Sequence, residues 1–425
     1  MKKIKNRHNK RIRNLIVALS LTAIILSVST YAWFVGMRTV NVSPFNVEIA
    51  TTEDLELSLN GKDWDYTVAI NAENYNDAVD TVYEDHTNWW AGRGLIPMSS
   101  VGDIDSASSR LMLYEKASLT ATPGGYRLMA SLVNNGLDGE GNLGSEVNGY
   151  VAFDLFIKNY TGTQYIAEYN ESDEEAIYLS TNSQVGVAES GGVDGTGIEN
   201  SVRVAFAQIG RVTADLTTET EDVAKITGIS CSTDTDVTGI CTRTSTIWEP
   251  NDTKHVKGAI DWYTTSCVGR TDADLTLSGS YTGACGEFKN GTAYSTYAVA
   301  KAIASSDRVD VYDGTAYNGY TDTVGEDKFL YDFPYFTDTH KMLTGTERPT
   351  FFTLAPNSIT KVRVYIYIEG QDVDNYDFAS IGKNISVNFG FTKQRFVGND
   401  IEYDGPSLPT TTQPTTTPTS TTEQP

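Results

Sequence analysis

The sequence predicts an all-β chain: a jelly-roll-like antiparallel β-sandwich with a large disulfide-stapled insertion and a disordered C-terminal tail. Three observations predict it. Apolar residues recur with period two in six segments, the 3.6-residue period of helices is scarce, and 24 Tyr, 15 Phe and 6 Trp supply aromatic surface that a solvated acidic chain would lack. With 425 residues the chain is long enough for a large core and a second domain.

The segments follow in chain order. Phe45, Val47 and Ile49 alternate with Asn46, Glu48 and Ala50. Leu55, Leu57 and Leu59 then alternate with Glu56, Ser58 and Asn60 and end at the turn Asn60-Gly61, which predicts a hairpin or strand pair. Val151, Phe153, Leu155 and Ile157 form a third strand, and Val202, Val204 and Phe206 a fourth; each has one face fit for a core. The clearest alternation is Val362, Val364, Ile366 and Ile368 against Arg363, Tyr365, Tyr367 and Glu369. The last is Ile385, Val387, Phe389 and Phe391. Helical period is confined to Ala298–Ala304 and the neighbourhood of Asn71–Thr81, both too short to organise a fold. The sandwich core is therefore placed at residues 44–209 and 351–400, with 210–350, rich in Thr, Ser, Asp and Gly, as an insertion or subdomain. Residues 405–425 hold nine Thr and five Pro and read as an extended tail that cannot bury a core.

Charge narrows the partners. The chain has 32 Lys and Arg against 55 Asp and Glu, and seven of the bases lie within the first fourteen residues. The remaining 25 bases face all 55 acids, a balance that repels phosphate backbones and anionic lipid. No nucleic-acid partner is expected, and membrane contact is expected only through the N-terminal segment.

That segment reads as an export signal. Asn14 to Met37 is an uncharged run of 24 residues behind a basic start. Leu15–Val28 is long enough for the apolar stretch of a signal, and Thr30 and Ala32 put small residues at the −3 and −1 positions of a cut after Ala32. Retention of residues 1–32 as a signal-anchor is the alternative, since about 20 apolar residues span a bilayer. Either way the bases hold the N-terminus in the cytoplasm and place the remainder outside. Cys231, Cys241, Cys267 and Cys285, an even number within one stretch, agree with an oxidising compartment. Three pairings are open; the short loops favour Cys231–Cys241 and Cys267–Cys285.

Catalytic constellations are not visible. His86, His255 and His340 are too widely separated for an H-E-x-x-H site, and no G-x-S-x-G elbow, Walker loop or dinucleotide fingerprint occurs. No catalytic residue is expected, so the chain is not read as an enzyme. No C-x-x-C spacing supports zinc, with His255 in a polar loop. No cofactor is expected either, with calcium as a weak exception at Asp372, Asp374 and Asp377 or at Asn135–Asn142, where ordinary turns are the commoner explanation. Trp89-Trp90 could stack on sugar rings, although burial in the sandwich is commoner for adjacent tryptophans.

Three patches carry a family resemblance. The signal end Thr30–Phe34 (TYAWF) runs directly into the strand Arg38–Ala50, Gly149–Asn159 (GYVAFDLFIKN) has the look of a central strand, and Leu354–Asp377 leads into Val387, Asn388 and Phe391. Together they resemble the TasA/camelysin-like family of Gram-positive cell-surface and biofilm-matrix fibre proteins, over about a third of the exported chain. The resemblance implies a jelly-roll subunit, displayed at the cell surface or in the matrix of a Gram-positive-type bacterium. It also implies polymerisation head to tail by donor-strand complementation, with other surface or matrix proteins as further partners. Residues 33–43 suit the donor role, with Trp33, Val35 and Met37 on one face and Phe34, Val40 and Val42 on the other. Those residues could equally finish the signal or form the subunit's own first strand. A function of another class stands beside the fibre: a monomeric, membrane-anchored adhesin or carbohydrate-binding module.

Overall fold

In the computed structural model, the described residues are 46–51, 54–70, 89, 95–100, 102–105, 108–122, 125–133, 149–162, 164–168, 170, 173–188, 192–214, 223–234, 236–241, 243–251, 254–263, 297–298, 331–332, 348–370, 372–376, 382 and 384–395. Strands in chain order are β1 (Asn46–Thr51), β2 (Leu55–Ser58), β3 (Thr67–Ile70), β4 (Met98–Ser99), β5 (Leu113–Thr122), β6 (Gly125–Val133), β7 (Tyr150–Asn159), β8 (Glu175–Leu179) and β9 (Gln184–Val187). They continue as β10 (Val202–Thr213), β11 (Thr238–Gly239), β12 (Thr246–Trp248), β13 (Tyr297–Ala298), β14 (Tyr331–Asp332), β15 (Phe352–Leu354), β16 (Ser358–Ile368) and β17 (Ile385–Thr392). A 3-10 turn at Ile198–Ser201 and one short helix, α1 (Lys257–Tyr263), complete the set.

The chain is all-β and built as a sandwich. One sheet has the order β15-β8-β17-β1-β3 with β9 beside β17, and the other β11-β10-β16-β7-β2 with β12 beside β10. Antiparallel pairing prevails, but β1 lies parallel to β17, from Asn46 opposite Ser386 to Thr51 opposite Phe391. The second sheet follows the antiparallel expectation throughout.

All six alternating segments became strands, β1, β2, β7, β10, β16 and β17, and their apolar positions meet between the sheets. Val47 and Ile49 of β1, Val151 to Ile157 of β7, Val204 and Phe206 of β10, Val362 to Ile368 of β16 and Val387 to Phe391 of β17 share this core. Each such side chain contributes about 1.5–3 kcal/mol by leaving water. Aromatic edges lock the middle: the Phe206 ring stands edge-on to Phe389 at 5.1 Å and to Phe351 at 4.8 Å. Phe45 lies outside the described residues. Asn60-Gly61 does form a turn: the Ser58 hydroxyl accepts the Gly61 N–H at 2.9 Å, and Gly61 sits at φ 68. A Cβ there would meet Val223 at 2.4 Å, so both the backbone and the packing demand glycine.

The opposite face of the second sheet departs from expectation. Arg363, Tyr365 and Tyr367 alternate with the core positions, yet all eleven residues of β16 are buried. A covering layer that includes Met98, Ile104, Leu111, Val223 and Ile226 closes over Tyr150, Ala152, Phe156, Ala205, Ile247, Tyr365 and Tyr367 to make a second core. Trp89, half-buried, is held to Ala152 of β7 by two backbone hydrogen bonds of 2.8 Å and packs against both cores. Charges in this layer are paired. Lys361 Nζ and Arg363 Nε reach the Asp154 carboxylate at 3.0 Å, and Lys361 also donates to the Ile226 carbonyl at 2.9 Å.

The boundary drawn at Gly210 also moves. It falls inside β10, and β11 and β12 pair with that strand beyond it, with the Trp248 side chain in the main core. The end of β10 with β11 and β12 thus continues the sandwich, pairing a β10 edge that would otherwise present unpaired backbone. Between Gln208 and Gly210 the β10 register slips by a bulge, with Gln208 opposite Val362 and Gly210 opposite Lys361. The extra residue inverts the alternation, so Arg211, opposite Thr360, faces the inside of the sandwich as Gln208 does.

Candidate functional site

Buried polar groups concentrate where β10 begins and β16 ends. Arg203, on the covered face of β10, is almost wholly enclosed, and its Nε donates to Glu249 at 2.7 Å and its Nη2 to Asp372 at 2.6 Å. Its Nη1 donates to the carbonyls of Asn200 and Val202 at 2.8 and 3.0 Å. Burial pulls the guanidinium toward the neutral form, but Glu249, Asp372 and Glu369 more than offset it, so Arg203 stays charged.

The turn after β16 completes the cluster. Asp372 accepts the Asp374 N–H at 2.8 Å. The Asp374 carboxylate accepts the Val256 N–H at 2.9 Å and lies 2.7 Å from Nδ1 of His255. Burial raises the Asp374 pKa above the usual carboxylate range, against the opposing hydrogen bond from His255. Gly197, at φ 82, passes so close that a Cβ would sit 2.7 Å from Val256 and 2.8 Å from Asp374 Oδ1. Ser99 and Glu369 form a further buried hydrogen bond beside this cluster.

His255, Asp372 and Asp374 bring ligand-type atoms within 4.8 Å of one another. Two of the three weak calcium candidates are thus brought together, and Asp377 lies outside the described residues. The donor set argues against a hard cation. Each carboxylate oxygen of Asp372 and Asp374 already faces a polar protein group, and a guanidinium stands at Asp372. Calcium takes 6–8 oxygens, and among the described residues the carboxylate oxygens of this corner are already engaged. The cluster acts as an electrostatic clamp that fastens the turn after β16 to the start of β10 and to the segment before α1. His255, placed in a polar loop from sequence, has a side chain 2% exposed.

The other expected residues divide as follows. Cys231 and Cys241 are joined, closing the turn that carries β11. Cys267, Cys285, the cleavage residues Thr30 and Ala32, and the donor residues Trp33, Phe34, Val35, Met37, Val40 and Val42 lie outside the described residues, as do Trp90 and Asn135–Asn142. Arg203 and Glu249 were not anticipated: a strand arginine alternating with valines reads as solvent-facing, and its partners are 46 and 169 residues away. Gly210 was the readable signal for the bulge, since an isolated glycine inside a strand pattern marks one. Among the described residues no helix is long and apolar enough to cross a membrane. No protein-family model, no curated protein and no solved structure matches the chain.

Proposed function

We propose that the chain is an exported structural subunit of the cell surface or matrix that assembles head to tail through its N-terminal segment. The observation that carries this reading is the seating of β1. The sandwich's first described strand lies inside a sheet, between β17 and β3, rather than at its margin. The chain therefore enters the sandwich beside the start of β17, where Val187 and Val193 are exposed, and residues 33–43 precede that entry with their own uncharged alternation broken only by Arg38. An arm of this composition is suited to adding a strand to a neighbouring subunit.

Two further points support the reading. Two clusters of buried ionisable groups, Arg203 with Glu249 and Asp372, and Asp154 with Lys361 and Arg363, are engaged as clamps, which serve rigidity. The resemblance to TasA/camelysin-like proteins supplies the mode of assembly. The test is negative-stain electron microscopy of Trp33–Pro425 beside the same chain lacking residues 33–43, with calcium and concentration varied. Filaments from the first alone are expected. Monodisperse particles from both would overturn the fibre reading and favour a monomeric adhesin.

A further inference from the structure

The bulge in β10 creates a polar cavity at one mouth of the sandwich. Had the alternation run on, Arg211 would have faced the covering layer; the slip turns it inward, next to the start of β8 and near β15. Gln208 and Arg211 of β10, Glu174 before β8, Thr353 of β15, Thr238 of β11 and the Cys231–Cys241 bridge line a cavity of about 260 Å³. Its walls are fixed from several sides. Gln208 Nε2 donates to the Thr353 carbonyl at 2.7 Å, and the Tyr165 hydroxyl holds Thr238 Oγ1 at 2.5 Å.

Charge in the cavity is balanced. Arg211 and Glu174 form an ion pair, their side chains 4% and 3% exposed, and Arg211 also donates to the Ala167 carbonyl at 3.2 Å. Neither an anion nor a cation would find an unopposed counter-charge there. Hydrogen-bonding capacity, by contrast, is left over. Arg211 Nε and Glu174 Oε2, on two residues that line the cavity, are buried with no partner in the protein. An unmade hydrogen bond of this kind costs about 1–3 kcal/mol. Such groups gathered in one cavity mark a place where an incoming molecule supplies the partners.

We infer that this mouth is a binding site for a neutral polyhydroxylated ligand, a single hexopyranose unit of a glycan. A hydroxyl group donates and accepts at once, so one ligand hydroxyl can accept a hydrogen bond from the Arg211 Nε–H and its neighbour donate one to Glu174 Oε2 without disturbing the ion pair. The size agrees: the cavity falls just below the roughly 300–1,000 Å³ of drug-sized pockets and far above the roughly 30 Å³ share of one water. This site is independent of the fibre reading, because nothing in strand exchange through residues 33–43 requires it.

The test is saturation-transfer difference NMR on the full-length protein with glucose, galactose and N-acetylglucosamine in turn. Transfer to the ring protons of at least one sugar is expected, with at least tenfold weaker binding for Thr233→Trp, which places an indole at the mouth from an exposed lining position. Glu174→Gln should weaken binding as well, but it leaves the buried Arg211 charge without its partner and lowers the melting temperature, so Thr233→Trp is the variant that decides. Absence of transfer from all three sugars at millimolar concentration, or equal transfer in the parent and Thr233→Trp, would overturn the site and leave a solvent-filled niche. Filament formation by Thr233→Trp is expected to match the parent, so failure of the sugar site and failure of the fibre reading are told apart.

Discussion

Arg203 and Asp372 meet at 2.6 Å inside the protein although 169 residues separate them in sequence. The guanidinium joins the start of β10 to the turn that follows β16, and through Asp374 the same network reaches His255 and Val256 ahead of α1. Arg203→Met is expected to lower stability by about 3–5 kcal/mol, because Glu249 and Asp372 would remain as buried charges without their partner. Urea unfolding followed by tryptophan fluorescence measures this, and a loss under about 1 kcal/mol would show the clamp to be dispensable.

Acid should also lower stability through the Asp154 cluster. Burial pushes the Asp154 carboxyl up, but Lys361 and Arg363 more than offset it and hold the group well below the usual carboxylate range. A depressed carboxylate contributes stability that is complete above its unfolded pKa of about 3.9 and is lost as pH falls through the folded value. The parent should therefore lose stability steeply below about pH 4. Asp154→Asn should be weaker at neutral pH and show a shallower acid limb. Parallel acid limbs for the two proteins would remove Asp154 from the account.

Gly197→Ala is expected to cost about 1–3 kcal/mol, from left-handed backbone strain alone, before the clash with Val256 and Asp374 is counted. Differential scanning calorimetry gives the measurement. Gly186→Ala is the control, since nothing lies within 4 Å of a Cβ placed there.

Removing the bridge as Cys231→Ser with Cys241→Ser should cost about 2–3 kcal/mol, the range for a short closed loop. The effect should be local. Amide exchange is expected to accelerate at Gly239, whose N–H donates to the Ser232 carbonyl at 2.7 Å within the closed loop, and to stay slow at Val364 in the core.

The covering layer yields a sharp contrast. Tyr365→Ala should destabilise by about 3–5 kcal/mol, as for any fully enclosed aromatic, although its position in the alternation marks it as a surface residue. Its ring stands edge-on to Tyr150 at 5.1 Å, and that contact goes too. A loss under about 0.5 kcal/mol, typical of a surface site, would mean that the second sheet has a solvated face after all.

These outcomes trace what sequence could and could not convey. Period two is a local property, so Val362, Val364, Ile366 and Ile368 declared both a strand and a core face. What lies over the other face is not local: Arg363 is answered by Asp154, 209 residues earlier, and Lys361 by the Ile226 carbonyl. An alternating charge reads as solvent-facing until its distant partner is known. Asp372 and Asp374 were readable as a concentration of carboxylates, but their meaning depended on Arg203, which turns a cation-binding composition into a clamp. The cavity was hidden for a third reason. A one-residue slip changes which face Arg211 occupies, and only Gly210 hinted at it.

The parallel seating of β1 beside β17 ties completion of this sheet to residues far along the chain. Thr51 and Phe391 are 340 residues apart, yet the Thr51 hydroxyl donates to the Phe391 carbonyl. A growing chain holds β1 without its inner neighbour until residues 385–392 have been made, and so long-range a pairing is slow to close. A molecule cut short before Ile385 cannot finish this sheet, because β1 then lacks the strand it runs parallel to.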